Sequence, residues 1–275
     1  HMPDYEKALG KVKEKVKEDD EKIAGELEHR GGGTERVVKE LKELFPEARL
    51  MRMDRDTIDN ANSYEDILNA MKNRAVDILV GTQMIAKGHD FPGVKLVGII
   101  DADISLHFPD FRASEKAFQL LTQASGRAGR DKEQGQVIIQ TREPNHPSIL
   151  AASTNRLRDF YNYEMKYREA LYYPPYKKLL RLIISSTELQ DAFQASEIVK
   201  KAVAEICENK KVQKLGPSPA PFQKLQSRYR WHMILKADSG KTISEIAKAL
   251  QEWKKTVKGI KDFRLSIDVD AVDML

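Results

Sequence analysis

The sequence has a single cysteine, Cys207, among its 275 residues. One thiol excludes an intramolecular disulfide and a zinc site built on several cysteines, and it fits a reducing cytoplasm. Long apolar runs are also lacking, because no stretch approaches the roughly 18 residues of a membrane span. No secretory signal pattern is recognisable either. We therefore expect a cytoplasmic protein that crosses no membrane and holds no zinc.

The sequence also lacks a P-loop. That loop has the pattern GxxxxGK[ST], and its glycines allow backbone N–H groups to surround nucleotide phosphates. The only GKT tripeptide, at 240–242, has Leu235 where the first glycine would stand. The tripeptide opens an amphipathic pattern, so we interpret it as the start of a helix. We expect that this chain alone holds neither ATP nor Mg²⁺.

Neither sign of charge dominates the sequence. The chain has 46 lysines and arginines against 42 aspartates and glutamates, which gives a net charge of +4. This mild basic excess permits nucleic-acid binding without requiring it. The length of the chain suits two domains with separate cores.

Residues 1–30 form a segment of their own. His1 and Met2 are typical of the remnant of a cleaved expression tag. The residues that follow are rich in Lys, Glu and Asp, with apolar residues at three-to-four spacing, which predicts a charged surface or paired helix. The pattern assigns no role to this helix.

Apolar periodicity predicts an α/β domain over residues 31–145. Predicted strands alternate with helices, which is typical of a parallel sheet covered by helices. The strands are expected at 49–53, 76–80, 94–100 and 136–140. A bridging segment, 146–176, follows, with a helix at about 148–170 and the linker YYPPY at 172–176.

Residues 177–275 predict a second domain. Strands are expected at 178–186, near 211–216, at 229–236 and at 263–269, with a proline-rich loop at 217–221 and a helix after the first and the third strand. This β-α-β-β-α-β order is the ferredoxin-like split unit. Side chains alternate along a strand, so Tyr229 and Trp231 lie opposite Arg228 and Arg230. One of the two pairs is expected to enter the core, and the pattern leaves open which.

Basic and aromatic residues of the second domain are candidates for a DNA surface. Candidates for phosphate contacts are Lys177, Lys178, Arg181, Lys224, Arg228 and Arg230. Tyr229 or Trp231 is available to stack on a base. Core aromatics with solvated arginines explain the same pattern equally well.

Two strings in the first domain carry candidate chemistry. GTQMIAKGHD, residues 81–90, follows a predicted strand, and open α/β sheets bind ligands beyond the carboxyl ends of their strands. QASGRAGR, residues 123–130, places Arg127 and Arg130 on a glycine-containing turn after a predicted helix. Guanidinium groups bind phosphate oxygens in bidentate fashion and stabilise the charge of phosphoryl transfer. For the second string alone, an ordinary turn with solvated arginines fits equally well.

Together, at this spacing, the two strings resemble motifs V and VI of superfamily-2 helicases. More narrowly, the chain is similar to the primosomal protein N′ family of replication-restart helicases over about residues 31–275. Further strings match that family in order: GGGTERV at 31–37, RMDRDT at 52–57, IDADISLHFPDFRASEKAFQLL at 100–121, YYPPY at 172–176, RYRW at 228–231 and DVD at 268–270. The resemblance implies a fragment that contains the second RecA-like helicase lobe and the carboxy-terminal domain.

The resemblance implies roles for the residues of the arginine-bearing turn. Arg127 and Arg130 would reach a nucleotide held by the missing first helicase lobe, with Arg130 as the arginine finger. Gln123 and Gly126 would set the approach of the turn to that nucleotide.

The other string receives its roles in the same way. Gly88 and Asp90 would couple the nucleotide to the DNA strand along which the motor moves. Thr82 and Gln83 would contact phosphates of that strand. Both roles are implied by the resemblance alone.

The family implies an ATP-dependent 3′→5′ DNA helicase that recognises stalled or branched forks and restarts replication by primosome assembly. The intact protein would use ATP and Mg²⁺, and its partners would be fork DNA, single-stranded DNA, single-strand-binding protein and primosome proteins. A non-enzymatic DNA- or protein-binding module with vestigial helicase motifs is the main alternative. A different branch-processing helicase is a third possibility, against which YYPPY and RYRW argue.

Overall fold

The computed structural model describes residues 33–54, 61–86, 91, 93–128, 135–257, 260, 262–271 and 274. The chain divides into two compact units, His1–Val94 and Lys95–Leu275. The helix predicted within residues 1–30 lies outside the described residues. Among the helices of the described part, none is long and apolar enough to pass through a membrane.

The first unit contains one pair of parallel strands. Its elements are α1 (Thr34–Leu44), β1 (Leu50–Met53), α2 (Ala61–Lys72), β2 (Ile78–Gly81) and the short helix α3 (Gln83–Ala86). Leu50 on β1 lies opposite Ile78 on β2. Gly81 is the last residue of β2. A Cβ atom at this position would lie 2.1 Å from the Met53 carbonyl oxygen, so only glycine fits here without a shift of the neighbouring backbone.

The second unit begins with a similar pair of parallel strands. Its first elements are β3 (Leu96–Ile99), a 3-10 turn (Ala102–Ser105), α4 (Ala113–Ser125), β4 (Gln136–Ile139), α5 (Pro147–Ser153) and α6 (Leu157–Ala170). β3 and β4 pair in parallel. Within the described residues, the parallel sheet is thus present as two two-stranded pieces, which confirms the predicted α/β class.

The bridging helix predicted at 148–170 is two helices. Asn155, with φ of 54°, adopts the left-handed conformation between the end of α5 and the start of α6. Asparagine tolerates this conformation and commonly ends helices in this way. The expectation of one continuous helix was therefore wrong.

A four-stranded antiparallel sheet forms the rest of the second unit. Its elements are β5 (Lys178–Ser186), α7 (Leu189–Ile206), β6 (Val212–Leu225), β7 (Arg228–Ala237), α8 (Gly240–Lys254) and β8 (Arg264–Val269), and the strands lie in the order β6-β7-β5-β8. The strand expected near 211–216 instead continues through the proline-rich segment. β6 is an edge strand, where proline is tolerated because one side of the backbone needs no partner.

Alternation along the strands separates a core face from an opposite face. Leu180, Leu182 and Ile184 on β5 face α7 and α8 together with Met233 and Leu235 on β7. Trp231 packs against the same core and meets Phe193 edge-to-face. The aromatic pair of β7 therefore belongs to the core side, and its arginines belong to the other face of the sheet.

Candidate functional site

The structure places the residues of the two helicase-like strings in different units. Thr82 and Gln83 lie in the first unit, directly after β2, and both are exposed. The Thr82 carbonyl oxygen accepts a hydrogen bond from the Ile85 N–H at 3.1 Å, which closes the turn into α3. Gly88, Asp90 and Arg130 lie outside the described residues.

The arginine-bearing turn follows the last residue of α4 in the second unit. Gly126 caps the helix, and the Arg127 N–H donates to the Ala124 carbonyl oxygen at 3.0 Å. Gln123 is exposed and Arg127 is half-buried. The turn is thus a direct continuation of the helix, and its direction follows from the packing of α4.

Helix α4 is anchored by its apolar side. Ala117, Phe118 and Leu121 are buried, and the Phe118 ring stacks on Phe160 of α6 with ring centroids 4.5 Å apart. At the amino end of α4, Lys116 forms an ion pair with the buried carboxylate of Asp110 at 2.7 Å. A helix fixed at several points holds its carboxyl end in a defined position.

The carboxyl ends of β3 and β4 are tied together by Asp103. This buried carboxylate accepts hydrogen bonds from the Thr141 hydroxyl and, at 2.7 Å, from the Arg142 N–H. The Ala102 N–H donates to the Gln140 carbonyl oxygen at 3.0 Å. The sequence analysis assigned no role to Asp103, although a carboxylate just after a parallel strand is the signal that identifies such a position.

The predicted DNA-binding residues of the carboxy-terminal sheet have different surroundings. Arg228 donates to the Ser185 hydroxyl at 3.2 Å, to the Ser185 carbonyl oxygen at 3.1 Å and to the Asp262 carbonyl oxygen. Lys177 forms an ion pair with Asp238. The Lys224 ammonium lies 4.7 Å from the centroid of the Tyr229 ring in a cation–π contact. These contacts fix the positions of the side chains at this end of the sheet.

Arg230 and His232 create a basic area on the face opposite the core. Burial and then the charge of Arg181 lower the pKa of Arg230, which is 9% exposed. The pKa of His232 is also lowered, first by burial and then by the charges of Arg181 and Arg230. The His232 Nδ1 atom is buried and finds no hydrogen-bond partner among the described residues. The guanidinium groups of Arg181 and Arg230, held close together in this way, favour an anionic ligand.

A cluster around the Pro/Tyr linker was missed by the sequence analysis. We call this set the linker cluster: Phe111, Glu115, Arg168, Tyr173 and Lys236. Phe111 and Tyr173 stack with centroids 4.8 Å apart, and Arg168 and Lys236 are buried beside them. The string YYPPY identifies the linker itself. The charged residues of the cluster lie on other elements, and no local sequence pattern connects them to the linker.

Comparisons with known domain families match most of the described chain. Residues 34–132 match the helicase conserved C-terminal domain, and residues 169–272 match the primosomal protein N C-terminal domain. The first match contains the arginine-bearing turn, and the second contains the whole carboxy-terminal sheet. Within the described residues, no group of three or more His, Cys, Asp or Glu side chains is suited to a metal ion.

Curated relatives extend this similarity. Replication restart protein PriA of Bacillus subtilis is 42% identical over 245 residues, which are 89% of this chain and 30% of that protein. The Synechocystis protein of the same name is 42% identical over 76% of this chain and 25% of its own length. The Treponema pallidum protein is 36% identical over 89% of this chain and 36% of its own length. The chain thus spans between a quarter and about a third of these relatives, and it belongs to the family of replication restart proteins PriA.

Proposed function

We propose that this chain supplies the second motor lobe and the carboxy-terminal domain of an ATP-dependent 3′→5′ DNA helicase that restarts replication at stalled or branched forks. The position of Arg127 carries the proposal. Arg127 lies two residues after the end of helix α4, whose apolar side is buried, within the stretch that matches the helicase conserved C-terminal domain. Such a position suits an arginine that acts on a nucleotide held by another lobe.

The chemistry divides between two lobes. A first lobe with a P-loop would bind ATP and Mg²⁺, and this chain would add Arg127 and Arg130 to stabilise the charge of the transferred phosphoryl group. Gln123 and Gly126 would set the approach of the turn, whereas Gly88 and Asp90 would couple the nucleotide to DNA. The division at residues 145 and 176 into lobe, bridge and carboxy-terminal domain stays a prediction.

The carboxy-terminal sheet is the second part of the proposal. We assign it to the ferredoxin-like class, which its β-α-β-β-α-β order and its strand order support. Arg230 and Lys177 would contact DNA phosphates together with Arg228, whose Nη1 has no hydrogen-bond partner among the described residues. Tyr229 would stack on a base, while Thr82 and Gln83 would contact the tracking strand.

The family supplies the remaining partners. Fork DNA and single-stranded DNA would bind directly, and single-strand-binding protein and primosome proteins would join the assembly. These partners, like a cytoplasmic location, are proposals that the similarity to replication restart proteins supports.

The test joins this chain to a first helicase lobe that carries a P-loop and measures DNA-stimulated ATP hydrolysis. We expect Arg127→Ala and Arg130→Ala each to lower hydrolysis by about 10³-fold while nucleotide binding changes much less. Arg142→Ala is the matched control, because Arg142 is exposed in the same unit and its contact with Asp103 uses only the backbone. Equal rates in all three variants would refute the finger role and would favour a DNA- or protein-binding module.

A further inference from the structure

Two buried cations flank the linker that joins α6 to β5. Arg168 is on α6 and Lys236 is on β7, and the two are 8% and 4% exposed. Burying a cation is costly unless specific contacts compensate for the lost hydration. The contacts of these two residues connect elements that carry the two proposed functions.

Arg168 joins α6 to the amino end of α4. Its guanidinium forms ion pairs with Glu115 of α4 at 2.7 Å and with Glu164 of α6 at 2.9 Å. The centre of the guanidinium lies 5.2 Å from the centroid of the Phe111 ring, just before α4. The amino end of α4 is therefore held by charge and by an aromatic face at the same time.

Lys236 joins β7 to the linker. Its Nζ atom lies 3.5 Å from the centroid of the Tyr173 ring and donates to the Leu171 carbonyl oxygen at 2.8 Å. The Tyr173 ring stacks on Phe111 with an interplanar angle of 6°. A continuous series of contacts thus runs from β7 through Lys236, Tyr173 and Phe111 to α4.

The two ends of this series are the proposed functional regions. Lys236 shares a face of β7 with Arg230, roughly 20 Å along the strand. Glu115 lies roughly 18 Å along α4 from Arg127 at its other end. A strand within a sheet and a packed helix are stiff elements, so a displacement at one end moves the other.

We propose that Arg168 and Lys236 are positioning residues that couple DNA engagement at β7 to the arginine-bearing end of α4. The proposal rests on the proposed function, because it assigns DNA to one end and nucleotide chemistry to the other. The linker cluster is the set of contacts that joins the two ends. Neither cation touches the reacting groups.

The experiment uses the chain itself with a fluorescent probe at the end of α4. Thr122→Cys provides an exposed thiol one turn before Gly126. Cys207 does not compete for the label, since it is buried and burial raises the pKa of its thiol. Fork DNA is titrated into the labelled chain while DNA affinity and probe emission are recorded separately.

Lys236→Met is the informative variant. Methionine replaces the buried aliphatic part of the side chain and removes a charge whose burial opposes folding, so the fold should persist. We expect DNA to shift the probe in the parent chain and this shift to be lost in Lys236→Met with DNA affinity unchanged. Tyr173→Leu interrupts the same series without changing a charge and should also lose the shift.

Lys254→Met is the matched control. Lys254 also donates to a backbone carbonyl oxygen, that of Leu265 at 2.9 Å, but it lies on α8 away from the linker cluster. This variant should keep the shift. A full shift in Lys236→Met and Tyr173→Leu, or DNA binding by the parent without any shift, would overturn the coupling and leave DNA binding intact. A parent chain that binds no DNA would overturn both proposals.

Discussion

The arginine-bearing turn and the carboxy-terminal sheet hold their cations in different ways. Arg127 follows the end of a helix, and its place is set by the packing of α4. Arg228 and Arg230 lie at the start of β7, whose neighbours are β6 and β5, and their places are set by strand register. The position of Arg127 thus depends on one helix, whereas the positions of Arg228 and Arg230 depend on the pairing of strands.

The difference has consequences for the effects of substitutions. At the turn, chemistry and stability are separable, because α4 keeps its core contacts when Arg127 is replaced. In the sheet they are linked, because Arg228 and Arg230 are also part of the packed structure. Substitutions in the two regions can therefore break this contrast or make it quantitative.

Arg168→Met should have the largest effect on stability, because it removes the buried cation that holds α6 to the amino end of α4. The substitution leaves the carboxylates of Glu115 and Glu164 without their shared cation. The Glu164 side chain is only 7% exposed, so water compensates little for this loss. Breaking a buried ion pair in this way costs about 3–5 kcal/mol of unfolding free energy, which urea unfolding measures. Arg156→Met breaks an exposed pair with Asp159 and should change the free energy by less than about 1 kcal/mol. Equal effects would show that the linker cluster contributes no special stability.

Leu182→Ala tests the strength of the sheet itself. Leu182 is fully buried in the centre of β5, so the substitution should lower the free energy of unfolding by about 2–5 kcal/mol. Leu225→Ala changes the same residue type at the exposed end of β6 and should stay within about 0.5 kcal/mol. Both are measured by chemical denaturation. If Leu182→Ala left the free energy of unfolding unchanged, this would contradict the conclusion that strand register fixes the positions of Arg228 and Arg230.

Arg230→Gln tests the sheet as a DNA surface. If Arg230 neutralises one phosphate, the slope of log affinity against log salt should fall by about one unit. Fluorescence titration across a salt series measures this slope. Lys248→Gln, on the exposed side of α8, should leave the slope unchanged. A slope that is the same in both variants would exclude Arg230 from the DNA surface.

The smallest expected effect is a pH dependence in the first unit. Hydrogen bonds from the Arg49 guanidinium and then from the Arg49 N–H lower the pKa of Asp77 from 3.8 to about 2. Because the pKa is lowered by folding, this stabilisation is present above pH 3.8 and is lost as the pH falls towards about 2. Asp77→Asn and Arg49→Gln should both flatten the acid side of the stability profile. A profile unchanged in both variants would refute this contribution.

The order of elements was predictable from the sequence, and so was the α/β class. Period-two alternation identified β7 and β8, an apolar run identified β5, and a three-to-four period identified α7 and α8. Local sequence signals did not predict the element boundaries that tertiary contacts determine. The proline-rich segment continues β6 because that strand is at an edge, and Asn155 divides the bridging helix.

The candidate site was predictable only where a local string carries it. Gln123, Gly126 and Arg127 stand in one string at the carboxyl end of one helix, so their proximity follows from sequence. The linker cluster brings together residues from α4, α6, the linker and β7, and only packing makes them neighbours. Periodicity reports which face a residue occupies and not which distant residue it meets.

The prolines of β6 also determine how this sheet ends. Pro217, Pro219 and Pro221 lie within this strand, and its pairing with β7 shifts register between Leu215 and Ser218 and again between Pro219 and Lys224. Proline has no N–H group, and an irregular edge that lacks donors gives a poor template for another strand. The carboxy-terminal sheet therefore offers a further strand few regular hydrogen-bonding positions along its β6 side.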